Sequence, residues 1–252
     1  MGKSLRLLLF VSILFKLCPH GFANEARQPF HPGERLIYEL RWGLFKVGTA
    51  VFEVEGPVEL DGQPAYKFVF TIKTNRFADG FYKIRDRYEG YSNLEMSRSL
   101  LFRKQEQHNR RKRNVTVTFD WDAQTVQYER NGEKQDPLPL DHTRCFDPLS
   151  ALFAARALPL SIGSEYTLPI TDGKKLATVP IKVIKKQKLK MQAGTFETFL
   201  ITPDFRRLKK NPRKNKRAST RIWFSADSRK IPVKIHKRAI WGRFEARLVA
   251  IQ

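Results

Sequence analysis

"VTVTFDW", residues 115–121, alternates apolar side chains with polar ones. A β-strand points successive side chains to opposite faces, so Val115, Val117 and Phe119 would share one face. The segment "IPVKIH", residues 231–236, repeats the same alternation. Strands of this kind are typical of antiparallel sheets that bury one face and expose the other to water.

Four dipeptides that favour tight turns separate the strand-like segments. They are Asp61-Gly62, Asp79-Gly80, Asn131-Gly132 and Asp172-Gly173. Such pairs readily adopt the positive φ angles of hairpin turns, which predicts that neighbouring strands are joined locally. The predicted fold is mainly β, an antiparallel meander of roughly a dozen strands that forms a curved sheet or an open barrel.

One segment, "FDPLSALFAARALPLSIG" at residues 146–163, departs from this alternation. Asp147 can cap a helix, Pro148 suits its first turn and Pro159 stops it. We therefore expect one short helix over residues 147–158, lying across the mouth of the curved sheet. Its inward face would carry Leu149, Leu152 and Phe153.

The N-terminus has the features of a secretory signal peptide. A short basic start precedes an apolar run at residues 7–14, and Gly21 and Ala23 are small residues suited to a cleavage site. The apolar run is shorter than the ~20 residues that a membrane-spanning helix needs. We expect residues 1–23 to be removed and residues 24–252 to form a single β-rich domain that is exported, either periplasmic or envelope-associated.

After this cleavage Cys145 would be the only cysteine, so no internal disulfide is expected. The surrounding sequence carries no nucleophile motif beyond the nearby His142. We therefore interpret Cys145 as a buried residue rather than a reactive thiol.

The chain is strongly basic, with a formal net charge of +22, and its densest basic run is "RRLKKNPRKNKR" at residues 206–217. The cations of this run are Arg206, Arg207, Lys209, Lys210, Arg213, Lys214, Lys216 and Arg217. Export argues against nucleic acid, so the predicted partners are anionic lipid, lipopolysaccharide or an acidic cell-wall polymer. The alternative is a solvated loop without a partner.

Alternation along "FYKIRDRY", residues 81–88, places Asp86 on the same face as Ile84 and Tyr88. A carboxylate on an apolar face needs a partner, so Asp86 is either in an ion pair with an arginine across the sheet or a polar anchor at the floor of a pocket. Trp42 is expected in the core or in a pocket wall. The predicted pocket residues are Asp86, Tyr82, Tyr88, Trp42 and Leu152.

Lys83, Arg85 and Arg87 occupy the opposite face of this segment. A transmembrane barrel needs an apolar outer band, so the protein is not expected to span a membrane.

The signatures of metalloproteases, nucleophile elbows, dinucleotide sites and P-loops are absent from residues 24–252. The histidines lie in separate segments without the spacing of metal ligands, so neither a metal nor a cofactor is expected. Asp86 and Asp147 are the one carboxylate pair that a glycan hydrolase could use.

Five stretches resemble an uncharacterised family of exported bacterial proteins, domain of unknown function 3108. They are "LIYELRWGLFKVGTAVFEV", "FYKIRDRYEGY", "FDPLSALFAARALPL", "AGTFETFLITPDF" and "RIWFSADSRKIPVKI". The resemblance implies an envelope-associated β-rich domain and assigns no reaction, ligand or catalytic residue. The basic run at residues 206–217 is longer and more charged than the family's usual connection at that place.

These observations favour a non-enzymatic envelope protein that associates with anionic envelope components. The first alternative is a periplasmic carrier or binder of an apolar ligand, such as a lipid or a lipoprotein acyl chain. A glycan hydrolase is the second alternative.

Overall fold

The computed structural model describes residues 28–205, 219–239 and 242–252. Within these ranges fifteen strands form one antiparallel sheet, and two helices interrupt them. In chain order the elements are β1 (Arg35–Trp42), β2 (Phe45–Leu60), β3 (Gln63–Thr74), α1 (Arg76–Asp79), β4 (Ile84–Asn93), β5 (Ser99–His108), β6 (Arg111–Asp120), β7 (Thr125–Arg130), β8 (Glu133–Lys134), β9 (Leu138–Pro139), α2 (Pro148–Arg156), β10 (Glu165–Thr171), β11 (Leu176–Met191), β12 (Gly194–Pro203), β13 (Ser219–Ser225), β14 (Pro232–Ala239) and β15 (Gly242–Ile251).

Most strands pair with their neighbours in sequence, as a meander requires. The exceptions are β9, which pairs with β7, and β15, which pairs with β1 and so joins the last strand of the chain to the first. Arg35 and Gln252 close this pairing, because the backbone N–H of each donates to the carbonyl of the other at 2.9 Å. β1 therefore lies inside the sheet, and the path of paired strands runs from β10 to β8.

The sheet is strongly curved but not closed, and the β10–β11 hairpin lies over strands β6 and β7. Gly173 in this hairpin has φ 87°, and a Cβ there would approach Val117 to 2.8 Å and Tyr128 to 2.9 Å. Lys174 Nζ lies 4.3 Å from the centre of the Tyr128 ring. The predicted antiparallel meander with an open, barrel-like shape is confirmed.

The concave face of the sheet carries the core. Tyr38 on β1, Phe68 on β3 and Leu248 on β15 are fully buried there. The Tyr38 hydroxyl donates to the Pro232 carbonyl at 2.6 Å, which satisfies the one polar atom of that buried ring. The convex face instead carries charged side chains in cross-strand pairs such as Lys67–Glu55, 2.7 Å apart.

α2 begins where the sequence predicts and packs inside the curved sheet. The Asp147 carboxylate accepts from the backbone N–H groups of Leu149 at 2.8 Å and Ser150 at 3.0 Å, and Pro148 follows in the first turn. This capping satisfies donors that a buried helix end would otherwise leave unpaired. Leu149 and Phe153 are buried in the core, as expected.

A second, four-residue helix occupies the place where Asp79-Gly80 predicts a hairpin turn, so that prediction is wrong. The Asn75 side chain caps α1 by accepting from Ala78 N at 2.9 Å. Gly80 has φ −64°, an ordinary right-handed value. Asp79 instead accepts from Arg85 Nη2 at 2.5 Å, and this ion pair ties α1 to β4.

Arg156, in the last turn of α2, is the largest fully buried side chain in the described part of the chain. Its guanidinium donates to both carboxylate oxygens of Glu34, at 2.5 and 2.8 Å. It also donates to the carbonyls of Pro29 at 2.7 Å and Arg229 at 2.9 Å. This buried ion pair connects α2, the segment before β1 and the β13–β14 connection.

Candidate functional site

A cavity of about 330 Å³ lies between α2 and the concave face of the sheet. Phe70 and Ile72 on β3 form one side, and Leu152 of α2 forms another. Further apolar walls come from strands distant in sequence: Phe52, Leu168, Ile170, Val179, Ile181, Ile201 and Ile222. Pro203 and Phe205, at the end of β12, complete the lining. The cavity is therefore lined mainly by aliphatic and aromatic side chains and is partly open to solvent.

Two polar side chains enter this apolar wall, Tyr88 from β4 and Lys104 from β5. The Lys104 ammonium lies 5.3 Å from the centre of the Phe102 ring. Burial lowers the pKa of Lys104, while the nearby Glu106 carboxylate acts in the opposite direction. Lys104 is the only basic side chain among the described residues that line the cavity.

Tyr88 connects the cavity to a buried carboxylate cluster. Its hydroxyl lies 3.0 Å from an oxygen of Asp86 and 3.0 Å from one of Glu106. Burial, reinforced by these two carboxylates, raises the pKa of Tyr88. Tyr88 therefore stays protonated at neutral pH and acts as a hydrogen-bond donor.

Asp86 is buried, but the predicted ion pair with an arginine across the sheet is wrong. Its carboxylate accepts from the Gln107 backbone N–H at 3.1 Å and lies 3.0 Å from His108 Nε2. Ile72 and Glu106 stand opposite it on the neighbouring strands. The arginines of β4 occupy alternate positions, which point to the convex face.

The family to which the chain belongs is shown by its sequence. Residues 37–249 match the model of a protein family described as a protein of unknown function, DUF3108. The chain belongs to this family. Among curated proteins, none matches the sequence.

Three solved structures are similar to this DUF3108 chain. A beta-barrel-like protein of domain of unknown function DUF1849 from Brucella abortus superposes with a TM-score of 0.58 at 13% identity, covering 87% of this chain and 96% of that one. A putative exported protein with a YmcC-like fold from Bacteroides fragilis gives 0.40 at 11% identity, covering 90% and 100%. A putative lipoprotein from Parabacteroides distasonis gives 0.37 at 10% identity, covering 89% and 98%. The first of these supports the barrel-like fold alone.

Of the five predicted pocket residues, two line the cavity of this DUF3108 protein: Tyr88 and Leu152. Asp86 lies behind Tyr88. Tyr82 precedes β4, is 49% exposed with its ring 5.7 Å from that of His108, and does not line this cavity. Trp42 is also 49% exposed, because it is the last residue of β1 and extends past the core. This contradicts its predicted place in the core, and Trp42 does not line this cavity.

The predicted anionic-surface residues lie outside the described residues. They are Arg206, Arg207, Lys209, Lys210, Arg213, Lys214, Lys216 and Arg217. The signal peptide predicted over residues 1–23 lies outside them as well.

Asp147 cannot share a catalytic cleft in the way a glycan hydrolase requires. It is fully buried, and besides capping α2 it accepts from Ser99 Oγ at 2.7 Å. Its oxygens are therefore committed to structural hydrogen bonds. This removes the second carboxylate from the Asp86–Asp147 hypothesis.

Cys145 is completely buried, as the sequence interpretation expects. Burial, together with the neighbouring Asp147 carboxylate, raises the pKa of the Cys145 thiol to about 12. The thiol is therefore protonated at neutral pH and is a poor nucleophile.

The described part of the chain contains no helix with the length and apolarity needed to cross a membrane. Over the same residues, no group of three or more His, Cys, Asp or Glu side chains has an arrangement that could hold a metal ion.

Sequence reasoning missed most of the cavity wall. Phe52, Phe70 and Ile72 follow the strand alternation, which assigns them to the concave face but does not show that the face is left unfilled. The sequence could have pointed to Lys104, because this lysine occupies an inward position in the strand alternation that includes Phe102. It could have pointed to Arg156 too, as a lone cation in an apolar helix.

Proposed function

We propose that this protein is exported and that it binds or carries an apolar ligand, such as a lipid or an acyl chain, in its interior cavity. The observation that supports this function is the cavity itself. The cavity is partly open to solvent, which allows a ligand to enter it. A volume of about 330 Å³ lies at the lower end of the range for ligand pockets, roughly 300–1,000 Å³, and its apolar walls suit an apolar occupant.

Lys104 favours a ligand whose apolar part ends in an acidic group. A cation in an apolar wall is costly unless an anion or hydrogen-bond acceptor approaches it. A carboxylate or phosphate near Lys104 would supply that charge. The apolar chain would then lie along Phe70, Ile72 and Leu152.

Binding of 11-(dansylamino)undecanoic acid, followed by the fluorescence of the dansyl group, tests this function. Leu152→Trp should weaken binding by about tenfold or more, because the larger ring occupies the space that the chain needs. Lys104→Gln should weaken binding of the acid but not of the corresponding alcohol. Ile162→Trp is the matched control, since Ile162 is 63% exposed and lies outside the cavity lining.

Lipid extracted from protein purified from its native source provides a second measurement. Equal binding by the wild type and Leu152→Trp, together with the absence of bound lipid in native preparations, would remove the carrier function. The denaturation midpoint of Leu152→Trp must be measured in parallel, because overpacking alone destabilises a protein.

We propose, as a second function, association with anionic envelope components through basic surface residues. Exposed lysines on β11 favour it: Lys185, Lys186, Lys188 and Lys190. Replacing these four by glutamine should weaken binding to purified lipopolysaccharide. The affinity should also depend less on salt concentration, because each lysine attracts phosphate through an electrostatic interaction that salt screens. A parallel variant should carry glutamine at the last six cations of the basic run: Lys209, Lys210, Arg213, Lys214, Lys216 and Arg217. Unchanged binding by both variants at low salt would reject this function.

A further inference from the structure

A cluster of large apolar side chains is exposed at one end of the sheet. We call it the aromatic rim and define it by Trp42, Leu44, Phe45, Phe77, Phe81 and Phe244. Their exposure ranges from 39% for Phe244 to 86% for Leu44. Single exposed apolar residues are ordinary, but a contiguous cluster marks an interaction surface.

The rim is continuous across three turns of the chain. Trp42 stands opposite Phe45 in the β1–β2 pairing and opposite Phe244 in the β1–β15 pairing. The Trp42 and Phe244 rings stack with centres 6.4 Å apart. Phe45 stacks on Phe77 at 5.9 Å, and Phe77 meets Phe81 at 5.5 Å. The side chains thus hold one another in place while their outer surfaces face solvent.

α1 holds Phe77 and Phe81 at the rim. The Arg85–Asp79 ion pair joins this helix to β4. The Asn75 side chain caps the helix by accepting from Ala78 N. Asn75 also donates from its side-chain amide to the Lys46 carbonyl at 2.8 Å, which ties α1 to the β1–β2 hairpin. The rim is therefore a built surface rather than a set of independent loop tips.

Exposed cations lie next to rim residues in sequence or in strand register. Arg76 precedes Phe77, Lys83 follows Phe81 by two positions, and Arg243 precedes Phe244, which stands opposite Lys237. Nearby carboxylates are neutralised, since Glu39 pairs with Lys46 at 2.6 Å and Asp79 pairs with Arg85. The surface therefore combines an apolar centre with a positively charged border.

We propose that the aromatic rim docks on the surface of an anionic lipid bilayer and inserts its apolar side chains among the lipids. Aromatic and leucine side chains partition into the boundary between headgroups and acyl chains, and nearby cations are attracted to anionic headgroups. The inference does not depend on cavity binding or on the basic run at residues 206–217, because it assigns lipid contact to different, apolar residues.

Charge and shape favour a bilayer over a second copy of this chain. A symmetric dimer through the rim would place the two sets of bordering cations against each other. The rim also projects from hairpin and helix turns, and a fluid lipid layer accepts such projections without a matching groove. Ile72 lines the cavity and lies two positions before the end of β3. Docking would bring this end of the molecule towards the bilayer.

Vesicle flotation tests the proposal with phosphatidylcholine vesicles that contain phosphatidylglycerol. The double variant Phe45→Ser, Phe81→Ser should bind these vesicles at least about tenfold more weakly than the wild type, because it removes two large inserted side chains. The matched control is Ile162→Ser, Ile184→Ser, which removes apolar side chains that are 63% and 47% exposed but lie outside the rim. The control should bind within about twofold of the wild type.

A fluorescent label reports insertion directly. In a chain in which Cys18 is replaced by serine, an NBD label on Leu44→Cys should shift its emission to the blue on vesicles, and the same label on Ile162→Cys should not. The buried Cys145 leaves the introduced cysteine as the labelling position.

Three results would overturn the proposal. They are equal vesicle binding by the rim variant and the control, no wild-type binding to anionic vesicles, and a wild-type dimer that the rim variant dissociates. The last result would assign the rim to a second copy of the chain. Because the dansyl-acid binding assay uses no vesicles, failure of bilayer docking is distinguishable from failure of the cavity function.

Discussion

Replacing Arg156 by methionine is expected to lower the free energy of unfolding by about 3–5 kcal/mol, because the change leaves the Glu34 carboxylate buried without its partner. Arg156 and Glu34 have side-chain exposures of 0% and 3%, so solvent cannot compensate. The carbonyls of Pro29 and Arg229 lose a donor as well. Chemical denaturation followed by tryptophan fluorescence measures the loss.

Two control variants separate the buried charge from the lost packing. The double variant Glu34→Leu, Arg156→Met should recover much of the stability, since it removes both charges together. Lys182→Gln breaks an exposed pair with Glu165, whose members are 56% and 61% exposed, and should cost less than about 1 kcal/mol. Similar losses for Arg156→Met and Lys182→Gln would contradict the structural role assigned to the buried pair.

Truncation of Phe153 to alanine is expected to cost about 3–5 kcal/mol, as for other buried aromatic residues. Phe153 is 1% exposed and stacks on Phe68 with ring centres 3.9 Å apart. Its ring also meets Phe30 edge-on at 5.4 Å. The resulting void would therefore be surrounded by rigid rings that cannot collapse into it.

The adjacent Leu152→Ala is the matched comparison. Leu152 lines the cavity and is only partly buried, so its truncation enlarges an existing space and should cost clearly less than the ~2–5 kcal/mol of a packed leucine. The test compares the denaturation midpoints of Phe153→Ala and Leu152→Ala, both measured on ligand-free protein. A full core penalty for Leu152→Ala would show that this part of the interior is solidly packed.

Local sequence patterns were sufficient for the strands and for α2. Side-chain alternation identifies the buried face of β6 and β14, because strand geometry links sequence position to face directly. Asp147 and Pro148 identify the start of α2 because capping involves only residues of the same turn. Asp79-Gly80 predicts a hairpin turn from its local preference alone. That preference is outweighed by the Asn75 cap and by the ion pair between Asp79 and Arg85, which stabilise α1 instead.

The candidate site depends on contacts that local patterns do not contain. Glu34 and Arg156 are 122 positions apart in sequence and meet only after the sheet has curved. The cavity is likewise bordered by β3, α2 and β12, and its volume depends on how far these elements stand apart. Trp42 fails for a different reason. Its aromatic side chain in a strand predicts a place in the core, but the end of β1 extends beyond the core and leaves Trp42 exposed.

The pairing of β1 with β15 constrains the order in which the protein can fold. Leu36 and Ile251 are neighbours in the sheet although most of the chain lies between them, so forming this seam closes a very long loop. Contacts of such high sequence separation slow folding. Until β15 is available, β1 and β14 each present an unpaired edge that another extended chain could join. A newly synthesised chain is therefore most exposed to aggregation before its last strand is in place, when protection by a chaperone would matter most.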